Sequence, residues 1–407
     1  MICDVIIGAT PARKVSAYWG GDNPWVKIGE LDGGVIRDTA ERISDEGVAR
    51  SPSKLIPAGT LLFSFKLSIG KTAVTGVDLY TNEAIAALPV KDERVVMRDF
   101  LHYYLKSHSH IQGAEVAAKG ALLNSHKVAQ ISVPLPSPSE QRRIVEILDQ
   151  ADAIRKKRAE ADKLAERILP ALFYDMFGDP ATNPKGWSRT TLQAAGGRVR
   201  YGLGQPPASA EGGLPLIRAT NVNRGTVSDE DMIFVARDAV PVGRNAFLAA
   251  DDIIVVRSGA YTGDIAQVTD KWAGSVAGYD LVVKPGSRLR PEYLESYMLT
   301  PCIQKGYFSG LKSRAGQPHL NETQVSDMPV LVPPDGLQLR YARATAGIRT
   351  LRVAAAKTRD SIETLHRTML HRAFSGELTA KWREKNKALV ESEMAEQKKI
   401  LNMTKEG

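Results

Sequence analysis

Residues 134–154 read PLPSPSEQRRIVEILDQADAI, and the partition of the whole chain follows from how this stretch is read. Ser137-Pro138-Ser139-Glu140 has the form of a capping box, with proline at the first helical position, where its missing N–H costs nothing. Apolar residues then recur by threes and fours at Ile144, Ile147, Ala151, Ile154, Ala161, Ala165, Ile168 and Leu172, until Gly178 stops the pattern. Pro170 offers no N–H to the Glu166 carbonyl, so a kink is expected near Glu166. A second stripe runs Ile348, Leu351, Ala355, Ile362, Leu365, Met369 and stops at Gly376, with Asp335 and Gln338 placed to cap its start. A helix of ~38 residues is ~57 Å long, too long to bury its stripe against one small domain. Near-equal lengths and similar seams predict that the two helices of one chain pair antiparallel, in preference to a coiled-coil dimer between chains.

The segments between the helices are written twice, at a spacing of roughly 190 to 197 residues. Trp25-Val26-Lys27-Ile28 answers to Pro215-Leu216-Ile217-Arg218, and Gly59 to Ser64 answers to Asp252 to Arg257. Gly70 matches Gly263, Phe100 to Leu105 matches Tyr293 to Met298, and Lys119 to Asn124 matches Ala315 to Asn321. Val133-Pro134-Leu135-Pro136 matches Val330 to Pro333, and the order is kept throughout. Each copy has short Val/Ile/Leu runs broken by Gly, Pro and Asp turns, then a short helix (Arg98 to Lys106, Pro291 to Thr300), a polar loop and a Pro-bounded strand. The fold class is therefore α+β: two similar globules separated by two long helices that pair as an antiparallel coiled coil. One feature is unmatched. Pro184-Lys185-Gly186-Trp187 opens the second copy about 30 residues before Ile217, whereas Met1 lies 27 before Ile28, so the first copy lacks the Gly-Trp strand, as a start assigned too late or a trimmed globule would give.

The chain has 407 residues, 54 of them basic and 46 acidic, for a net charge of +8. That balance and a pI near 9.3 make nucleic acid a candidate partner. No apolar run approaches the ~20 residues of a membrane span, no signal-peptide pattern opens the chain, and only Cys3 and Cys302 are present. A cytoplasmic protein without a disulfide framework is expected.

The globule–helix–globule–helix order, with the PLPSPSEQRRIVEILDQADAI entry, resembles the specificity subunit of type I restriction–modification systems. The stretches YWGGDNPWVKIGEL, GTLLFSFKLSIGK and Ser275 to Leu281 look like the framework of its target recognition domains. The resemblance implies recognition domains at 1–136 and 179–333, spacer helices at 137–178 and 334–376, and a charged tail at 377–407. It further implies a non-catalytic reader of a bipartite, asymmetric site in double-stranded DNA, docking two methyltransferase subunits and restriction endonuclease subunits. Two similar globules on a strut suit two half-sites about one turn, or ~34 Å, apart. The alternative is a coiled-coil adaptor whose globules bind protein or glycan.

Gly70-Lys71-Thr72 ends like a phosphate loop, but Phe65 stands where the first glycine is needed and Gly263-Asp264-Ile265 has no lysine, so nucleotide binding is excluded. Neither a Gly-rich methyl-donor loop nor an Asn/Asp-Pro-Pro-aromatic motif occurs; Asn183-Pro184 continues with Lys185. The seven histidines show no metal spacing, and His108, His110, His366 and His371 read as solvated surface. No catalytic residue, metal or cofactor is expected. Base reading needs Arg, Lys, Asn or Gln at groove edges, with further basic groups on phosphates. The candidates are Lys66, Ser68, Lys71, Lys119, Asn124 and His126 in the first globule, and Arg257, Ser258, Tyr261, Arg314, Gln317, His319 and Asn321 in the second. Asn124 and Asn321 recur in both copies, which suits shaping a turn better than reading different bases. Arg155-Lys156-Lys157-Arg158 offers charge to phosphates or to solvent.

Overall fold

The structure is a computed structural model that describes residues 2–66, 68–107, 125–241, 243, 245–312 and 319–406. It is a mixed α/β chain that divides into two compact units, Met1–Ala159 with Thr358–Gly407, and Glu160–Lys357.

In the first unit a five-stranded sheet runs Ile6–Ile7, Ile85–Leu88, Leu61–Ser64, Thr72–Thr75, Val35–Ile36. A three-stranded sheet runs Glu41–Ile43, Trp19–Val26, Tyr80–Thr81, its last pair parallel. The second unit repeats both. Arg198–Tyr201, Leu281–Lys284, Ile253–Val255 and Ile265–Gln267 form one sheet, and Ile233–Val235, Ser209–Ile217 and Val276–Ala277 the other, again with the last pair parallel. Even the bulges agree: register slips between Trp19 and Asn23 and between Ser209 and Leu214. Gly20 and Gly212 take φ +83° and +72° there, and a Cβ on Gly21 or Gly213 would fall 2.4 Å from Ser44 Cα or 2.3 Å from Val235 O. Only glycine serves such a kink.

The register moves two sequence matches by one residue. Trp25 and Val26 pair with the parallel strand as Leu216 and Ile217 do, so Val26 corresponds to Ile217. Gly70 N donates to Ser64 O as Gly263 N does to Val256 O, so Ser64 corresponds to Val256 and Phe65 to Arg257. The loop in the second unit is one residue longer, which a match by residue type absorbed into the strand.

Both long helices are held at their starts by a buried glutamine. Gln141 Nε2 donates to Val95 O and Pro136 O, both at 2.9 Å, while its Oε1 accepts from Met97 N at 2.8 Å. Gln338 Nε2 donates to Arg288 O at 3.0 Å and Pro333 O at 2.8 Å, and its Oε1 accepts from Arg290 N at 2.8 Å. The capping box is only half made. Glu140 N reaches Ser137 Oγ at 3.4 Å, but the Glu140 carboxylate turns to Thr379 and Arg383 instead of back to Ser137. Asp335 likewise pairs with Arg290.

The first long helix runs Pro138–Glu166 and resumes at Ile168–Phe177, so the break falls where Pro170 requires it. Arg352 Nη2 donates to the Ala165 and Glu166 carbonyls, at 3.1 and 3.2 Å. Gly178 and Gly376, both at φ +80°, lie just beyond the ends of the helices. The apolar seam is a correction. Ile154 is 58% exposed and Leu351 70% exposed, while the buried face of the first helix runs Gln141, Ile144, Val145, Leu148, Asp152. Beyond Leu148 this face is charged: Asp152 Oδ1 lies 2.8 Å from His366 Nε2, and Arg155 lies 3.8 Å from Glu363. A search for apolar periodicity cannot see a seam of polar pairs. His366 is therefore buried against Asp152 and not solvated.

In the second unit Phe173 and Phe177 pack on Tyr293 and Tyr341. Arg349 reaches the buried Glu295 carboxylate, whose other oxygen accepts from Gln267 N at 2.7 Å. Strand Ser188–Thr191 pairs with Pro329–Val332, and Leu192 N and Gln193 N continue the bonds to Met328 O and Ser326 O. The first unit has no such strand among its described residues. A cavity of about 210 Å³ opens in the first unit beside Ile2, Leu101, Leu105, Val128 and Ile131. The charged tail forms helices Ala380–Lys385 and Lys387–Glu406, with Gln397 buried and donating to Val95 O and Pro136 O.

Candidate nucleic-acid interface

The strand Ile253–Val255 leads straight into Arg257, and the chain then turns back through Gly259 and Gly263, at φ +84° and +93°, to Ile265–Gln267. The Arg257 backbone is clamped on both sides. Its N–H donates to Asp280 Oδ1 at 3.2 Å, and its carbonyl accepts from Leu320 N at 2.8 Å. Ser258 bridges to His319 beside it.

The guanidinium lies between two aromatic rings, 4.1 Å from the centre of Tyr279 and 4.8 Å from that of Tyr201. Its Nη2 donates to Tyr279 Oη at 3.0 Å and lies 2.7 Å from His319 Nε2, which must therefore be the unprotonated nitrogen. Burial and the Arg257 charge both push the His319 ring below its ordinary value, which keeps it neutral. Burial pushes Asp280 up to about 6, against the Arg257 N–H and charge that favour its anion, and its Oδ2 is buried without a hydrogen bond. No carboxylate lies within ion-pair distance of the Arg257 guanidinium among the described residues, unlike Arg200, which holds Asp252 at 2.8 Å. Tyr261 stands on the same turn, 51% exposed.

Of the second-globule candidates, the structure brings Arg257, Ser258 and His319 together and sets Tyr261 on the adjoining turn. Asn321 does other work: its side chain accepts from Gln324 N at 2.9 Å and caps helix Glu322–Ser326. Arg314 and Gln317 lie outside the described residues, as do Lys119, Asn124, His108 and His110. In the first unit Lys66, Ser68 and Lys71 share one hairpin loop, where Ser64 Oγ donates to Ser68 O and accepts from Lys71 N. Lys66 Nζ sits 5.3 Å from the centre of the buried Phe65 ring. His126 is on a separate short helix, Ser125–Ala129, beside Gln130. Tyr201, Tyr279 and Asp280 were missed in the sequence. Tyr279 and Asp280 lie in the framework text Ser275 to Leu281, but nothing in the residue order says that their side chains meet Arg257.

Among the described residues no group of three or more His, Cys, Asp or Glu is placed to hold a metal ion, and no helix is long and apolar enough to cross a membrane.

Residues 2–164 match the family model described as the type I restriction modification DNA specificity domain. Over most of its length the chain is similar to type I specificity subunits. Such a subunit is the DNA-recognition member of its system, without catalysis of its own. The type I restriction enzyme MjaIX specificity subunit of Methanocaldococcus jannaschii is 24% identical over 366 residues, covering 84% of this chain and 83% of that one. The EcoKI specificity subunit of Escherichia coli is 21% identical over 424 aligned residues, covering 96% and 90%. A chain solved in a study of complex assembly and conformational transition of the type I R-M system superposes with a TM-score of 0.55 at 18% identity, covering 93% and 96%. The type I S subunit from M. genitalium superposes at 0.50 and 16%, covering 92% and 94%. At these identities the structural likeness is one of fold.

Proposed function

We propose that this chain reads a bipartite, asymmetric site in double-stranded DNA, one half with residues 1–136 and the other with 179–333. The observation that carries the proposal is a duplicated framework with unequal loops. Where one unit presents Arg257 between two tyrosines, the other places Phe65, 1% exposed, under Lys66. Equal frameworks with unequal readers are what an asymmetric site requires.

Residues 137–178 and 334–376 act as spacer helices that pair antiparallel. In support, Asp152 meets His366 in one unit, while Arg352 meets Ala165 and Phe173 meets Tyr341 in the other, so partners fall as positions rise. Ile154, Leu164, Leu351 and Leu365 stay exposed on these helices and suit the docking of two methyltransferase subunits, with restriction endonuclease subunits completing a cytoplasmic complex.

Quantitative binding to duplexes selected from a random pool, at several salt concentrations, tests this reading. Phosphate contacts release counterions, so log affinity should fall linearly with log salt, and the selected duplexes should share two separated blocks of unlike sequence. Salt-independent binding, or a single block, counts against it.

A further inference from the structure

We infer that Arg257 reads a guanine in the half-site bound by residues 179–333, an inference that rests on the proposed DNA reading. An arginine recognises guanine by laying its planar fork against O6 and N7 in the major groove, and this demands a guanidinium that is charged, held flat and not already spent on a carboxylate. Arg257 meets all three conditions. Tyr201 and Tyr279 lie against it at 4.8 and 4.1 Å; His319 Nε2 and Tyr279 Oη, both on Nη2, are neutral acceptors that give way to a base as a carboxylate would not, while Nε is buried without a partner. Nη1 has no partner among the described residues, and the neighbouring Asp280 carboxyl bonds the backbone N–H instead of the fork.

Two other arginines near this sheet contrast with it. Arg200 gives its fork to Asp252, Asn245 O and Phe247 O, and Arg349 gives its own to Glu295 and Gln267. Both are structural. Ordering a long side chain in the free protein also removes an entropic cost from binding, which is what a reader gains from aromatic walls. At the corresponding place in the first unit, Phe65 is buried and offers no donor, so this guanine contact belongs to one half-site only.

The test uses the full chain, purified from its host with the subunits that accompany it, as wild type, Arg257→Ala and Arg257→Lys. Each protein selects duplexes from a random pool, and the wild-type winner is remade with 7-deazaguanine, which keeps base pairing but lacks the N7 acceptor. The wild type should require guanine at one position of one half and lose about tenfold or more in affinity for the 7-deaza duplex. Arg257→Ala should accept any base there, keep both remaining sequences, and bind the two duplexes alike. If thermal melting shows that the alanine variant is unfolded, Arg257→Lys carries the test, with weaker preference at that position only. A guanine requirement that survives in a folded variant, or a wild-type half-site without guanine, overturns the inference while leaving the DNA reading intact. Selection of no split duplex by the wild type overturns both.

Discussion

Asp280 shows how one residue ties recognition to stability. Its carboxyl is buried, bonds the Arg257 N–H with one oxygen and leaves the other unsatisfied. Burial pushes it up to about 6 from an ordinary 3.8, so the native fold prefers it protonated. The stability this gives is whole below about pH 4 and is lost as pH rises through about 6, a change on the order of 2–3 kcal/mol. Urea unfolding of wild type and Asp280→Asn at pH 4.5 and 7.5 checks this. The difference between the two proteins should swing in favour of Asp280→Asn at the higher pH by about that amount, and an unchanged difference would mean that the carboxyl is not buried in this way. That Arg257 and Ser258 follow a buried strand was legible in the sequence, because an apolar run that ends in a polar turn is a local pattern. The walls that hold Arg257 were not, since Tyr201 ends one strand and Tyr279 lies in the bend before another, far apart in the chain.

At the scale of elements, the helix starts and the proline break were legible because caps and missing N–H groups act locally. The inward faces of the helices were not. Their partner residues are set by a second helix about 200 positions away, and polar pairs such as Asp152–His366 carry no apolar period. The two glutamine locks give an unequal prediction. Gln338→Ala strips Arg290 N, Arg288 O and Pro333 O of their partner, the last bond buried and the other two part-buried, each with a desolvation penalty. In Gln141→Ala, Gln397 still donates to Val95 O and Pro136 O, leaving Met97 N alone. Denaturant midpoints should show Gln338→Ala losing about 2–4 kcal/mol and Gln141→Ala about 1–2. Equal losses would mean that Gln397 does not back up the first lock.

The whole molecule is a duplicated plan, and the duplication was its most legible feature: strand order, the Gly-Gly bulges and the glutamine locks all recur. What differs between the copies is what the sequence match blurred, a loop one residue longer and the Phe65 to Arg257 exchange. The account's central claim is that each copy reads its own half of a split site. Replacing residues 179–333 by the same segment of another family member, and sequencing the methylated positions in cells carrying either protein, tests it most directly. The account predicts that one half of the methylated site changes and the other stays as it was. A change in both halves, or in neither, would contradict it.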